Sequence, residues 1–158
     1  MVYLRKIVLK GFKSFGRKTV SLRFSNGLTT VVGANGSGKS NVLDAVCFTL
    51  GILSAKFVRA GSVSDLIYNP VPASAEKPAE YTRVTLHFDN SDRKIPIDSD
   101  DIVVSRQVDR QGRGVYRLNG RLTTRTEILD VLSMVGIDPE GYNIVPQGEL
   151  ARIIRLGP

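Results

Sequence analysis

Regular alternation of polar and apolar residues marks several strands along the chain. Residues 19–24 alternate without a fault, and residues 83–89 repeat the pattern. A period of two is typical of a strand with one buried face. The segment 3–9 is also strand-like, although less regular, and we expect it to pair antiparallel with 19–24.

A hairpin and a second helix are predicted further along. Residues 102–108 and 115–118 both read as strands, and Asn119-Gly120 favours a tight type I′ turn after them. Thr124-x-x-Glu127 then matches a capping box and predicts an amphipathic helix that ends at glycine 136. In contrast, the segment 69–80 is rich in Pro and Ala and is predicted to be a surface loop.

One segment departs from the alternation. Residues 28–32 form a β-branched run, which predicts a strand buried on both faces. A helical pattern starts at Lys39 and ends at Gly51, where a left-handed cap is expected. A strand–loop–helix unit among antiparallel hairpins indicates a mixed α/β fold.

Composition narrows the class of protein. The 158 residues are 42% hydrophobic and 23% charged, which excludes wholesale disorder. The single cysteine cannot form an internal disulfide, and no apolar run approaches the length of a membrane span. We therefore expect a cytoplasmic protein with no membrane partner.

The positive charge is concentrated near the start of the chain. There are 22 Lys and Arg against 15 Asp and Glu, a net charge of +7. Residues 1–43 carry eight basic side chains and no acidic one, so the remainder carries 14 − 15 = −1. Such asymmetry suggests either a polyanionic partner or a solvated sheet edge protected by Lys and Arg.

The main chemical motif lies between the buried-strand pattern and the first helix. Residues 33–40 fit G-x-x-x-x-G-K-[ST] in full, in the strand–helix context that this phosphate-binding loop requires. Its glycines allow backbone N–H groups to surround a phosphate, Lys39 would reach the β- and γ-phosphates, and the Ser40 hydroxyl would bind Mg²⁺. The loop consists of Gly33, Ala34, Asn35, Gly36, Ser37, Gly38, Lys39 and Ser40.

Hydrolysis also needs an acidic residue for the metal, usually at the end of a buried neighbouring strand. Asp89 ends a strand, but that strand alternates as a half-exposed antiparallel strand does, so we exclude it. No run of four apolar residues ends in Asp-Glu. The catalytic set within this chain is therefore predicted to be incomplete.

Three motifs together resemble a known family. They are Gly-Phe-Lys-Ser-Phe at 11–15, the phosphate loop continued to Asn41, and Tyr-Asn-Ile-Val-Pro-Gln-Gly-Glu at 142–149. They resemble the N-terminal half of the head of an SMC (structural maintenance of chromosomes) ATPase. The resemblance implies an ABC-type head fold in which residues 1–158 are one half, with the coiled coil and the C-terminal half elsewhere.

The resemblance also assigns roles to residues. It implies that Gln147 ligates Mg²⁺ and orders the attacking water, and that Arg59 approaches the nucleotide. Lys13 and Ser14 would line the nucleotide together with the phosphate loop. The implied catalytic set is Lys39, Gln147 and Arg59, acting on ATP.

The same resemblance implies partners and a cellular role. The partners are the C-terminal half of the same head, a second head in an ATP-sandwiched homodimer, DNA and a kleisin-type bridging subunit. The cycle would organise, condense or segregate chromosomal DNA at the nucleoid, whereas this fragment alone would be inactive. Two alternatives are the related coiled-coil ATPase of the double-strand-break repair nuclease complex and a basic DNA-binding module with a vestigial nucleotide site.

Six arginines surround the hairpin and the start of the second helix. Acidic residues are interleaved with them, which predicts a solvated surface. The functional alternative is a surface that contacts DNA phosphates, for which Arg121 and Arg125 are the candidates. Cys47 is expected to be a small buried residue. The six are Arg106, Arg110, Arg113, Arg117, Arg121 and Arg125.

Overall fold

The computed structural model describes residues 1–34, 38–52 and 62–138. Within these ranges the chain forms six strands and two α-helices, with short 3₁₀ turns at Lys13–Phe15 and Val63–Leu66. The elements are β1 (Leu4–Lys10), β2 (Thr19–Arg23), α1 (Lys39–Thr49), β3 (Tyr81–Asp89), β4 (Asp101–Asp109), β5 (Gly114–Leu118), β6 (Arg121–Thr123) and α2 (Arg125–Ser133).

All six strands belong to one antiparallel sheet, in the order β2-β1-β3-β4-β5-β6. The predicted pairing of the first two strands is confirmed, with Leu9 opposite Val20. The predicted hairpin is confirmed as β4 and β5. Asn119 and Gly120 have φ angles of 46° and 81°, as a type I′ turn requires at both central positions.

One face of the sheet carries the hydrophobic core. Alternate residues of the central strands, such as Leu9, Leu86 and Val104, are fully buried there. Helix α1 covers this face with Phe48, and α2 contributes Ile128. Burying each such side chain stabilises the fold by about 1.5–3 kcal/mol, so the strand alternation fixes which face the helices cover.

The prediction of a buried strand at 28–32 is wrong. This segment forms no strand, and Leu28 and Val32 are 96% and 83% exposed. A strand buried on both faces needs hydrogen-bonded neighbours and covering layers. No strand among the described residues pairs with it, so its backbone groups are left to solvent.

The helix predictions are confirmed in position. Helix α1 begins at Lys39, and Gly51 follows it with a left-handed φ of 67°. At the start of α2, the Thr124 hydroxyl accepts a hydrogen bond from the Glu127 backbone N–H at 3.2 Å. The Glu127 carboxylate accepts from Thr123 and Arg121, so half of the predicted capping box is present. No helix in the described ranges is long and apolar enough to cross a membrane.

Candidate nucleotide site

The phosphate loop leads directly into α1. Gly38 precedes the helix with a left-handed φ of 93°, and neither a side-chain cap nor an acidic residue occupies the first turn. The first N–H groups of the helix are therefore available to an anion, and the helix dipole favours negative charge there. Asn35, Gly36 and Ser37 lie outside the described residues.

Lys39 links the two ends of the loop. Its ammonium donates a hydrogen bond to the Gly33 carbonyl oxygen. A phosphate oxygen is a stronger acceptor for an ammonium than a neutral carbonyl, because the opposite charges of donor and acceptor also attract each other. The side chain is thus positioned at the loop, where a bound phosphate would compete for it.

The connection between β1 and β2 brings a second lysine to the same place. Gly11 follows β1 with a φ of 65°, and a Cβ atom there would lie less than 3.0 Å from the Tyr81 carbonyl oxygen of β3. The chain then turns through Phe12, which is fully buried and packs against Phe48 of α1 at 5.8 Å between ring centroids. Lys13 follows in a left-handed conformation, with φ of 42°.

Lys13 and Ser14 contact the first two turns of α1. The Lys13 Nζ lies 2.6 Å from Asp44 Oδ2, and these side chains are only 15% and 8% exposed. Lys13 Nζ also lies 3.5 Å from Asn41 Oδ1, while Asn41 Nδ2 donates to Ser14 Oγ at 2.8 Å. Ser14 Oγ would be 3.4 Å from a Cβ atom on Gly38. The structure thus brings Lys13, Ser14, Gly38 and Asn41 together.

Asp44 is the member of this network that the sequence analysis missed. It is the first acidic residue of the chain, after eight basic ones, and that position was the available indication that it pairs with one of them. A buried carboxylate needs such a partner, because an unpaired charge away from water is costly. Asp44 therefore holds Lys13 against α1.

Cys47 lies one turn further along α1 and is buried, as predicted. Burial, followed by the negative charge of Asp44, raises the pKa of its thiol to about 11. The thiol is therefore protonated near neutral pH and is not a nucleophile.

Two residues of the predicted catalytic set, Arg59 and Gln147, fall outside the described residues. Their roles therefore stay predictions. Ser40 is in the first turn of α1 and is half-buried.

The arginine cluster is not uniformly solvated, and for Arg106 that prediction is wrong. Its guanidinium lies 4.7 Å from the centroid of the Phe48 ring and 5.1 Å from that of Tyr116. Its Nη1 donates to the Phe48 carbonyl oxygen at 2.9 Å, near the C-terminus of α1. Burial lowers the pKa of Arg106, while the two rings and the carbonyl compensate the charge.

The two arginines considered for DNA have different surroundings. Arg121 is 71% exposed and pairs with Glu127 at 2.8 Å. Arg125 is half-buried, and its Nε donates to the Leu50 carbonyl oxygen at 3.3 Å, just after α1. Arg121 is thus accessible to a phosphate, whereas Arg125 also stabilises the end of α1.

Known proteins resemble the chain along its length. A family model described as the RecF/RecN/SMC N-terminal domain matches residues 3–142. The chromosome partition protein Smc of Pyrococcus furiosus is 52% identical over 158 residues, which are 100% of this chain and 13% of that protein. The chain therefore spans a small part of this relative.

Solved structures agree with the sequence comparison. The Smc head domain of Pyrococcus furiosus with an extended coiled coil, bound to the C-terminal domain of ScpA, has a TM-score of 0.91 at 52% identity. The match covers 99% of this chain and 39% of that one. A structure from work on ATP-driven dimerization and DNA-stimulated activation of SMC ATPases has a TM-score of 0.89 at 52% identity, over 99% of this chain and 93% of that one.

These matches confirm the ABC-type head fold and favour the SMC interpretation over both the repair-nuclease ATPase and the vestigial module. The family model covers most of the chain, and the strands and helices superpose on SMC heads. The chain therefore belongs to the RecF/RecN/SMC N-terminal domain family, among its SMC members.

Proposed function

We propose that residues 1–158 are the N-terminal half of an SMC ATPase head and bind ATP with Mg²⁺ at the start of α1. The observation that carries this proposal is the convergence of an uncapped helix N-terminus with two lysines, Lys13 and Lys39. The first turn of α1 has no acidic residue to oppose a phosphate. Helix dipole, backbone N–H groups and ammonium groups all favour the same anion.

The residues present suit each part of Mg²⁺-ATP. The backbone of the loop from Gly33 to Asn41 would surround the phosphates, with Lys39 on the β- and γ-phosphates and the Ser40 hydroxyl on the metal. Lys13 and Ser14 would line the nucleotide beside them. When bound, Mg²⁺ neutralises phosphate charge. The resemblance adds Gln147 as a metal ligand and Arg59 as a contact to the nucleotide.

The C-terminal half of the head is the first proposed partner. The exposed apolar segment 28–32 supports it, because this run has strand composition and leads directly into the nucleotide loop. A strand supplied by the C-terminal half would satisfy the backbone of this segment and cover its side chains. The same half would supply the acidic residue that hydrolysis requires.

Further partners follow from the relatives. We propose an ATP-sandwiched dimer of heads, DNA, and a kleisin-type bridging subunit, which correspond to the ATP-driven dimerization, DNA stimulation and ScpA complex described for the similar proteins. Hydrolysis by the engaged dimer would serve chromosome condensation and segregation at the nucleoid. This chain alone would turn over negligible ATP, and robust turnover without a second chain would contradict the proposal.

The test of the nucleotide site is a binding titration. The chain is assembled with the C-terminal head half of the 52% identical Pyrococcus furiosus Smc, and Mg²⁺-ATP affinity is measured by calorimetry. We expect Lys39→Ala to weaken binding at least about tenfold, since a hydrogen bond to a charged group contributes about 1.5–3 kcal/mol. Lys77→Ala, at an exposed position in the 69–80 loop, is the matched control. Equal affinity of the two variants would refute the assignment.

A further inference from the structure

The sheet has a second face, which is turned away from the core. Its side chains alternate with the buried ones, and each of them is exposed or half-buried. No described helix packs against it, since α1 contributes to the core on the opposite face. The strand register arranges its residues in three rows: Thr19–Lys10–Arg83–Gln107–Val115, Ser21–Val8–Thr85–Ser105–Arg117 and Arg23–Lys6–His87–Val103.

These three rows, which we call the basic face, carry charge of one sign. They contain five Lys or Arg residues and neither Asp nor Glu. The acidic residues on these strands lie beyond the rows, at the strand ends. Asp89 accepts a hydrogen bond from the Ser91 hydroxyl at 2.6 Å, Asp101 pairs with Arg5 at 2.7 Å, and Asp109 pairs with Arg113 at 2.7 Å. The positive charge in the middle of the face is therefore not neutralised by the strands that carry it.

The positive field has a local effect on neighbouring groups. Lys10 Nζ and the Arg83 guanidinium lie 5.3 and 5.4 Å from the centroid of the same Tyr81 ring. The hydrogen bond with Lys10, and then the charges of Lys10 and Arg83, lower the pKa of Tyr81. Burial, and then the charge of Lys6, lower the pKa of His87 against the opposing effect of the Asp101 carboxylate. Cations are thus gathered here rather than dispersed.

The dimensions of the basic face suit an extended polyanion. Residues two apart on a strand are separated by about 6.8 Å and neighbouring strands by about 4.8 Å, so the face measures about 14 Å by 19 Å. Its width is similar to the roughly 12 Å major groove of B-DNA. A single phosphate could contact only a small part of it.

From charge and dimensions together, we infer that the basic face binds the sugar-phosphate backbone of duplex DNA without reading its sequence. Hydroxyl and amide groups between the cations, such as Thr85, Ser105 and Gln107, can donate hydrogen bonds to phosphate oxygens. A lipid surface fits less well, because interfacial binding requires a set of inserted apolar side chains. Val115, which is 41% exposed, is the one exposed large apolar residue in the three rows, since Val8 and Val103 are half-buried.

This inference rests on the proposed function, which names DNA as a partner. It assigns DNA binding to a surface separate from Arg121 and Arg125. It does not depend on the nucleotide, since the phosphate loop precedes α1, which packs on the other face of the sheet. Lys39→Ala should therefore weaken ATP binding and leave DNA binding through the basic face unchanged. Failure of the proposed ATP site can then be distinguished from failure of the proposed DNA surface.

The test compares two triple variants with the same net charge. Lys6→Gln, Lys10→Gln and Arg83→Gln together neutralise the face, whereas the control changes exposed lysines outside the strands: Lys18→Gln, Lys77→Gln and Lys94→Gln. Binding to a 30-base-pair mixed-sequence duplex is measured by fluorescence anisotropy at salt concentrations from 50 to 200 mM. Both the chain and its assembly with the C-terminal head half are titrated, and circular dichroism checks folding.

The expected results follow from counterion release, in which log K falls with log salt by about 0.9 per phosphate contact. Five contacts give a slope of about −4.5 and an affinity loss of about 500-fold over this range. The face variant keeps two contacts, with a slope of about −1.8 and a loss of about 12-fold. The control should keep the steeper slope.

Equal slopes for the face variant and the control would overturn the inference, since the effect would then come from net charge alone. It would also be overturned if neutralising the face reduced binding to phosphatidylserine vesicles but not to the duplex. If the triple variant does not fold, the single changes Lys10→Gln and Arg83→Gln replace it. Each should flatten the slope by about 0.9, and unchanged slopes would contradict the proposal.

Discussion

Gly11 is the position where a single methyl group should do the most damage to the candidate site. Its φ of 65° costs a residue with a Cβ atom about 1–2 kcal/mol. The added Cβ would also lie less than 3.0 Å from the Tyr81 carbonyl oxygen and 3.1 Å from the Ala79 Cβ atom. Tyr81 is the first residue of β3 and pairs with Asp109 of β4, which limits the movement of its backbone. Overpacking of this kind typically costs about 1–3 kcal/mol.

Gly11→Ala is therefore expected to destabilise the fold by about 2–5 kcal/mol. Gly112→Ala is the matched control, because its φ is 78° but no atom lies within 4 Å of the added Cβ. It should cost only the conformational part, about 1–2 kcal/mol. Urea unfolding followed by circular dichroism gives both values.

The same substitution should also weaken Mg²⁺-ATP binding, because Gly11 sets the path of the chain to Lys13 and Ser14. The Gly11 carbonyl oxygen also accepts a hydrogen bond from the Tyr68 backbone N–H at 2.8 Å, so a shift at this position is transmitted to the next segment. Equal destabilisation by Gly11→Ala and Gly112→Ala would refute the argument, since close approach to β3 would then contribute nothing.

Three further predictions concern other buried or charged groups. Asn90 is fully buried, and its side chain forms hydrogen bonds with three backbone groups at 3.0 Å. Asn90→Ala should therefore lower the free energy of unfolding, measured by urea denaturation, by about 2–4 kcal/mol. A loss under about 0.5 kcal/mol would contradict this. Burial and then Lys6 hold the pKa of His87 below its ordinary 6.5, so its contribution to stability is present above pH 6.5 and is lost as the pH falls from there through the folded pKa. His87→Gln should remove that part of the pH dependence of unfolding, and an unchanged profile would exclude it. Lys13→Met and Asp44→Asn should show a coupling of about 0.5–3 kcal/mol in a double-mutant cycle of stability, whereas additive effects would show that the ion pair is not formed.

Much of the sheet could be predicted because its information is local. Alternation along 83–89 identifies the buried face of β3, and Asn119-Gly120 defines a turn through its own φ angles. The phosphate loop and the start of α1 are also encoded within a few residues. Each of these depends on neighbours in sequence, which is why the pattern was sufficient.

Contacts between distant segments were harder to predict. The Lys13–Asp44 pair joins residues 31 apart, and no periodicity links them. Arg106 is different, because it shares the parity of Ile102, Val104 and Val108 on β4, so the alternation already placed it on the inner face. Its charge alone, which it shares with the other arginines, does not indicate that position. A charged residue can face inward there because aromatic rings and the end of a helix meet its guanidinium.

The segment 28–32 shows what a hydrophobic pattern does and does not determine. A β-branched composition indicates that a segment fits a buried, pleated environment. The strand itself forms only when neighbouring strands provide hydrogen bonds. Here Leu28 and Val32 are exposed immediately before Gly33, the first residue of the nucleotide loop. Under the proposed assembly, the strand that covers this segment would also fix where the loop begins. Pairing with the C-terminal half and ordering of the phosphate site would then be one structural event, because the same short stretch of backbone takes part in both.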